Sequence, residues 1–174
     1  MTDGLLYALV YVFILTFICY PGLALNCTVT FMKDIDNYGS WKVDFLQAIF
    51  NAVDTVGRFM GGMQSLLLSN TTIKISSGAR TLFFGLFLLV SFDVAFFHSD
   101  WFIILNLAVF SLTNGYVSTL CAVKAPMTVE GEAKGQVGGF VGITISTGIV
   151  LGSILAYAIL PIVEASPEYD INKE

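Results

Sequence analysis

One stretch of the chain gathers carboxylates, amides and a guanidinium on a single helical face. At about 100° per residue, Asp44, Gln47, Asn51, Asp54, Arg58, Gly62 and Ser65 fall within an arc of roughly 80°. The other faces carry Phe45, Leu46, Ile49, Phe50, Val53, Val56, Phe59 and Leu66. Asp54 and Arg58 stand one turn apart, the spacing of a helical ion pair. In an apolar setting such charges cost about 2.5–3.5 kcal/mol each, so they turn to a polar cavity or pathway and pair with one another. Two readings follow: a pair that only holds helices together, or a pair that lines the route of a solute. The second is the expectation, because ionisable residues inside a membrane are functional candidates by default. Gly57, Gly61 and Gly62 would let another helix or a ligand approach the backbone closely.

The frame around this stripe is apolar. Of 174 residues, 56% are hydrophobic and 12% charged, with a mean hydropathy of +0.80, against about 25% charged in an average soluble domain. So little charge excludes a disordered chain. A net charge of −5, from 8 Lys and Arg against 13 Asp and Glu, leaves no broad basic footprint for nucleic acid. Cys19, Cys27 and Cys121 form no C-x-x-C, and with His98 as the single histidine no metal set is expected. The cysteines are assigned to packing.

Charges then punctuate the chain into spans. No charged residue occurs between Asp3 and Lys33, longer than the roughly 20 residues a bilayer crossing needs, and the run lacks the basic start and cleavage site of a secretory signal. Pro21-Gly22 predicts a kink within it. The expected membrane domain covers residues 1–163, with spans at about 4–27, 41–68, 80–97, 101–123 and 135–163, followed by a short acidic tail at 164–174. Arg80 opens the third span on this reading, and His98-Ser99-Asp100 is a turn after Asp93. Helices are the way to satisfy the backbone in lipid without a closed barrel, so the fold class is an all-α polytopic membrane bundle.

Orientation is weakly encoded. Lys74, Arg80, Lys124 and Lys134 lie in the connections between spans two and three and between four and five, whereas Lys33, Lys42 and Lys173 lie opposite. The positive-inside rule places the first set and the amino terminus in the cytoplasm. Of the two glycosylation sequons, Asn26-Cys27-Thr28 falls at the outer end of span one and Asn70-Thr71-Thr72 in an inner connection.

The later spans carry milder signals. Ser111, Asn114, Ser118 and Cys121 share about 80° of the fourth helix, as interhelical hydrogen-bonding groups or as part of a pathway, and Asn114-Gly115 reads as a weak point in that helix. In the fifth, Gly135, Gly138, Gly139, Gly142 and Ser146 lie within about 100°, and Gly148 and Gly152 on another side. Two close helix contacts are expected from them.

The run Phe50-Asn51-Ala52-Val53-Asp54-Thr55-Val56-Gly57-Arg58, then Arg80, then Phe110-Ser111-Leu112-Thr113-Asn114-Gly115-Tyr116, resembles the carboxy-terminal half of the equilibrative nucleoside transporter family. Pro21-Gly22, Trp41, Asp100-Trp101-Phe102 and Ala125-Pro126 extend the resemblance over nearly the whole chain. It implies half of a major-facilitator-like bundle in the plasma membrane, with a cytoplasmic amino terminus and a last helix ending outside. It also implies transport of nucleosides, with nucleobases as a second class, by alternating access. Asp54 and Arg58 would then bind ribose in a central cavity, with Asn51, Gln47, Asn114 and Ser118 as further substrate-binding candidates. A carboxylate accepts from both hydroxyls of a vicinal diol while the guanidinium keeps it charged. Proton coupling through the same pair is a further hypothesis, with transport without protons as its alternative. No cofactor is called for.

The resemblance also implies a missing wall. An amino-terminal half would supply it, or self-association, with the lipid bilayer around both. A non-transporting membrane subunit or truncated remnant is the alternative. An intramembrane protease fits badly: Ser118 lies in G-Y-V-S-T rather than G-x-S-x-G, and Asp54 in A-V-D-T rather than G-x-G-D. The chain is not expected to be an enzyme.

Overall fold

In a computed structural model, the described residues are 4–27, 29–34, 37–63, 66–92, 97 and 99–164. Ser65, Asp93, His98, Thr28 of the first sequon and the tail beyond 164 lie outside them. Helix α1 (Leu5–Phe17) is continued by a wider turn at Ile18–Leu23 and a short 3-10 turn at Ala24–Asn26. A second 3-10 turn, Thr30–Met32, leads to α2 (Tyr38–Gly62). Then come α3 (Asn70–Ala79), α4 (Thr81–Ser91), α5 (Asp100–Met127) and α6 (Ala133–Glu164).

Among the described residues, four segments are long and apolar enough to cross a membrane: Leu5–Leu23, Asn70–Ser91, Asp100–Met127 and Ala133–Pro161. The 25-residue α2 has the length but carries Lys42, Asp44, Asp54 and Arg58, which is why it falls short on apolarity. The expected kink is present. Tyr20 takes the extended values φ −141°, ψ 124° one residue before Pro21, and Ser91 Oγ donates to the Leu23 carbonyl oxygen nearby (3.3 Å).

The boundaries around the second connection differ from the sequence reading. Met63 turns extended (ψ 123°) and ends α2, six residues before the expected end of the span at 68. Ser69 caps α3 by accepting from the Thr72 amide (3.2 Å), so the third span starts at Asn70 rather than at Arg80. Arg80 keeps helical dihedrals (φ −60°, ψ −18°), and α3 and α4 run on as one 22-residue span with Arg80 near its middle. A cation read as punctuation is instead an interior residue.

Helix α2 packs along α5, α6 along α1, and α1 lies against α5 between them. Two apolar clusters form the core. One joins Cys19, Leu23, Leu46, Phe87, Leu107 and Phe110; the other joins Leu9, Val12, Ile73, Val117, Leu120 and Cys121. On α1, on α3–α4 and on α5 the residues between the clusters are polar and buried: Thr16, Arg80 and Asn114. The fold therefore sandwiches a polar layer at mid-span.

Connections at the two ends are tied to α5. Asp100 accepts from the Thr30 and Phe31 amides (2.7 and 3.1 Å). At the other end Tyr116 Oη and Lys124 Nζ donate to the Leu66 and Leu68 carbonyls (2.6 and 2.5 Å). Successive connections thus alternate between ends, as an up-and-down bundle requires. With Arg80 inside a span, the charge comparison stands at three lysines on each side, so a cytoplasmic 66–69 connection is what the family resemblance implies; on that orientation Asn70 is expected to carry no glycan. A glycosidase-sensitive gel shift that disappears in Asn70→Gln would reverse the orientation.

On α6, Gly148 and Gly152 make the close contact. A Cβ there would lie 2.7 Å from Phe13 Cβ and 2.8 Å from the Ile14 carbonyl oxygen of α1. The second expected contact is not made among the described residues: a Cβ on Gly135, Gly138, Gly139 or Gly142 would meet nothing within 4 Å. Gly139 and Gly142 line an outer groove with Ser146, Ile143 and Thr147, because α1 has taken the other side of α6 and no further described helix reaches this one.

Candidate functional site

The site begins with how closely α2 and α5 meet. A Cβ on Gly115 would fall 2.0 Å from the Asp54 carbonyl oxygen and 2.8 Å from the Arg58 amide nitrogen. One on Gly57 would fall 2.3 Å from the Leu112 carbonyl oxygen, and one on Gly61 2.8 Å from that of Tyr116. Three glycines let the two backbones touch, as small residues do between membrane helices. Asn114-Gly115 is therefore no weak point: α5 runs unbroken through it, and the glycine is where α2 docks.

This approach delivers Asp54 to Asn114. Asp54 Oδ1 accepts from Asn114 Nδ2 (2.7 Å) and Oδ2 from Arg58 Nε (2.6 Å). The ion pair expected from the spacing is formed, with unequal burial: the Asp54 side chain is 10% exposed and that of Arg58 46%. Each carboxylate oxygen keeps a lone pair, and the Nη hydrogens of Arg58 remain for another acceptor.

Behind Asn114 stands a group that the sequence reading had placed at a helix end. Arg80 is only 2% exposed. Its Nη1 donates to the Phe110 carbonyl oxygen (3.0 Å) and to Thr113 Oγ1 (2.5 Å), and its Nη2 to Thr16 Oγ1 (3.2 Å) and Asn114 Oδ1 (3.4 Å). The Phe110 ring lies 4.5 Å from Cζ, within cation–π range, and is fixed edge-on by Phe83 and Phe87. Thr16 Oγ1 lies 2.7 Å from both Asn114 Oδ1 and the Val12 carbonyl oxygen. Having one hydrogen, it serves one of them at a time. The signal for Arg80 was its type: an arginine followed by twelve uncharged, mostly apolar residues. Thr16 and Thr113 gave none.

The other candidates divide. Gln47 and Asn51 lie on the exposed side of α2, where Gln47 Oε1 accepts from Tyr20 Oη (2.8 Å) and the Tyr20 ring stacks on Phe50 (4.5 Å). Ser118 is buried and turns back to its own helix, donating to the Gly115 carbonyl oxygen (3.3 Å). Asp54, Arg58 and Asn114 are thus brought together, Gln47 and Asn51 flank them along the open face, and Ser118 stays apart.

A multi-pass helical bundle with a charged, hydrogen-bonding cluster at mid-span, open on one uncovered side, has the build of a membrane carrier. The model of the nucleoside transporter family matches residues 5–160, and the chain belongs to the equilibrative nucleoside transporter family, a family of transporters and not of enzymes. It is 27% identical to equilibrative nucleoside transporter 4 of Danio rerio over 151 residues, 84% of this chain and 27% of that protein. To equilibrative nucleoside transporter 1 of Homo sapiens it is 26% identical over 175 residues, 91% of this chain and 36% of that protein. Nucleoside transporter 1.2 of Leishmania donovani is 26% identical over 83% of the chain and 29% of its own length. The chain thus spans about a third or less of the length of most of these relatives. No solved structure matches it.

Proposed function

We propose that the chain forms the carboxy-terminal half of an equilibrative nucleoside transporter of the plasma membrane and carries the ribose-binding wall of its solute cavity. The observation that supports this most is the Asp54–Arg58 pair at mid-span, backed by Asn114 and open on the exposed side of α2. A carboxylate with spare lone pairs accepts from the vicinal hydroxyls of a nucleoside. The guanidinium beside it donates to oxygen or nitrogen acceptors of sugar or base. Gln47 and Asn51 extend the same face along the path, and nucleobases are the second candidate class. The opposite wall comes from further helices, an amino-terminal half or a second copy, which would also cover the glycine face of α6.

In an assembly competent for uptake, Asp54→Ala and Arg58→Leu are each expected to bring saturable nucleoside flux close to background while membrane insertion is retained. A hydrogen bond to a charged group contributes about 1.5–3 kcal/mol, and Arg58→Leu in addition leaves the buried Asp54 carboxylate without its cation. Tracer uptake of inosine or uridine, normalised to surface protein, reads this directly. Normal rates in both variants would refute the site.

A further inference from the structure

Among the described residues, Arg80 is a cation in the bundle interior without a carboxylate in hydrogen-bond contact. Its charge is met by a carbonyl, two hydroxyls, an amide oxygen and a ring face, and its Nε has no acceptor among the described residues. A packing role alone would be filled at lower cost by an apolar side chain. What a guanidinium adds is direction, because it can only donate.

The consequence falls on Asn114. An amide presents an acceptor at one end and donors at the other, and a flip exchanges them. Here Oδ1 faces Arg80 Nη2 and Thr16 Oγ1 on one side, and Nδ2 faces Asp54 Oδ1 on the other. A flip would set donor against donor at Arg80 and oxygen against carboxylate at Asp54. Thr16 could not prevent it, since a hydroxyl adapts to either end.

We propose that Arg80 is a positioning residue for Asp54: through Asn114 it fixes the carboxylate, so that the remaining lone pairs stay aimed at the ribose when Arg58 turns from Asp54 to the solute. This deepens the reading under Proposed function and rests on it. Arg80 does not touch the solute. Its effect belongs to the ribose hydroxyls, not to the base.

The test uses the assembled transporter and compares KM for inosine with KM for 2′,3′-dideoxyinosine, which lacks the two hydroxyls. Thermal stability and surface amount are followed in parallel. Arg80→Lys keeps the charge but loses the planar fork. Thr113→Val removes an anchor of Nη1 without reaching Asn114 or Asp54. Both are expected to raise KM for inosine far more than for the dideoxy compound, narrowing the ratio by about three- to tenfold, the scale of one misplaced hydrogen bond. An unchanged ratio in folded Thr113→Val overturns the proposal whatever becomes of Arg80→Lys, and so does a loss of stability that weakens uptake of both solutes alike. Asp54→Asn separates the two levels. If it too leaves the ratio unchanged, the ribose reading has failed; if it collapses the ratio while Thr113→Val and Arg80→Lys do not, the inference about Arg80 alone has failed.

Discussion

Gly115→Ala is expected to abolish the folded, solute-competent state, although it adds a single methyl group. That methyl would sit 2.0 Å from the Asp54 carbonyl oxygen and 2.8 Å from the Arg58 amide nitrogen, and both are helix backbone that cannot turn aside. Relief requires α2 to move off α5. Gly57 faces the Leu112 carbonyl and Gly61 the Tyr116 carbonyl along the same seam, so the displacement cannot stay local. Overpacking costs about 1–3 kcal/mol when side chains can adjust, and more when they cannot. Moving α2 also lengthens the 2.7 Å bond between Asn114 Nδ2 and Asp54 Oδ1, so stability and site fail together. Gly62 is the control. It has no neighbour within 4 Å, and alanine there is expected to be neutral or stabilising by about 0.5–1 kcal/mol through the helix preference over glycine. Fluorescence-detected gel filtration with a thermal ramp measures both. Gly115→Ala with the thermal midpoint of the unsubstituted protein would contradict the backbone contact.

The same seam shows what the sequence makes legible. The Asp54–Arg58 pair was readable because one helix places both residues, so spacing alone fixes their separation. Four long apolar helices were readable because hydropathy is additive along the chain. The partners of the pair were not readable, because they come from other helices and depend on register. Asn114 was selected for its type, but nothing in the order of residues says that its Nδ2 meets Asp54. Ser118 is polar too and lies one turn on along the same face, yet bonds to its own helix. Asn114-Gly115 carries the chemistry of a turn in a soluble chain, whereas in lipid the backbone has no partner outside its helix, so the glycine serves contact instead.

Arg80 shows the reverse error. Reading charges as span boundaries assumes that an interior cation is too costly to occur, and that assumption holds only while no polar layer exists to receive it. Thr16, Thr113 and Asn114, scattered over two other spans, together make that layer. The small-residue face of α6 marks another limit. Periodicity shows that Gly135, Gly138, Gly139 and Gly142 share a side, but Gly148 and Gly152 share one too, and only the latter meets α1.

Reconstituted alone, the chain is expected to give no saturable nucleoside uptake. Asp54 is satisfied from within, but Arg58 is 46% exposed, and Gln47 and Asn51 stand on the same uncovered side of α2. Facing lipid, the guanidinium alone costs about 2.5–3.5 kcal/mol, and the polar side chains above it add to that. Alternating access, moreover, needs a second body against which the first can rock, with the solute held between them, and these helices provide one wall. The relatives are about three to four times as long as the matched region, which is room for that second body. Two outcomes are therefore expected of the isolated chain in detergent: self-association through the polar face of α2, or loss of the folded state on gel filtration. Supplying an amino-terminal half in trans is expected to give a monodisperse complex and uptake that Asp54→Ala removes. A stable monomer that takes up uridine or inosine saturably, with no partner present, would show that five spans suffice and that the cavity closes in some other way.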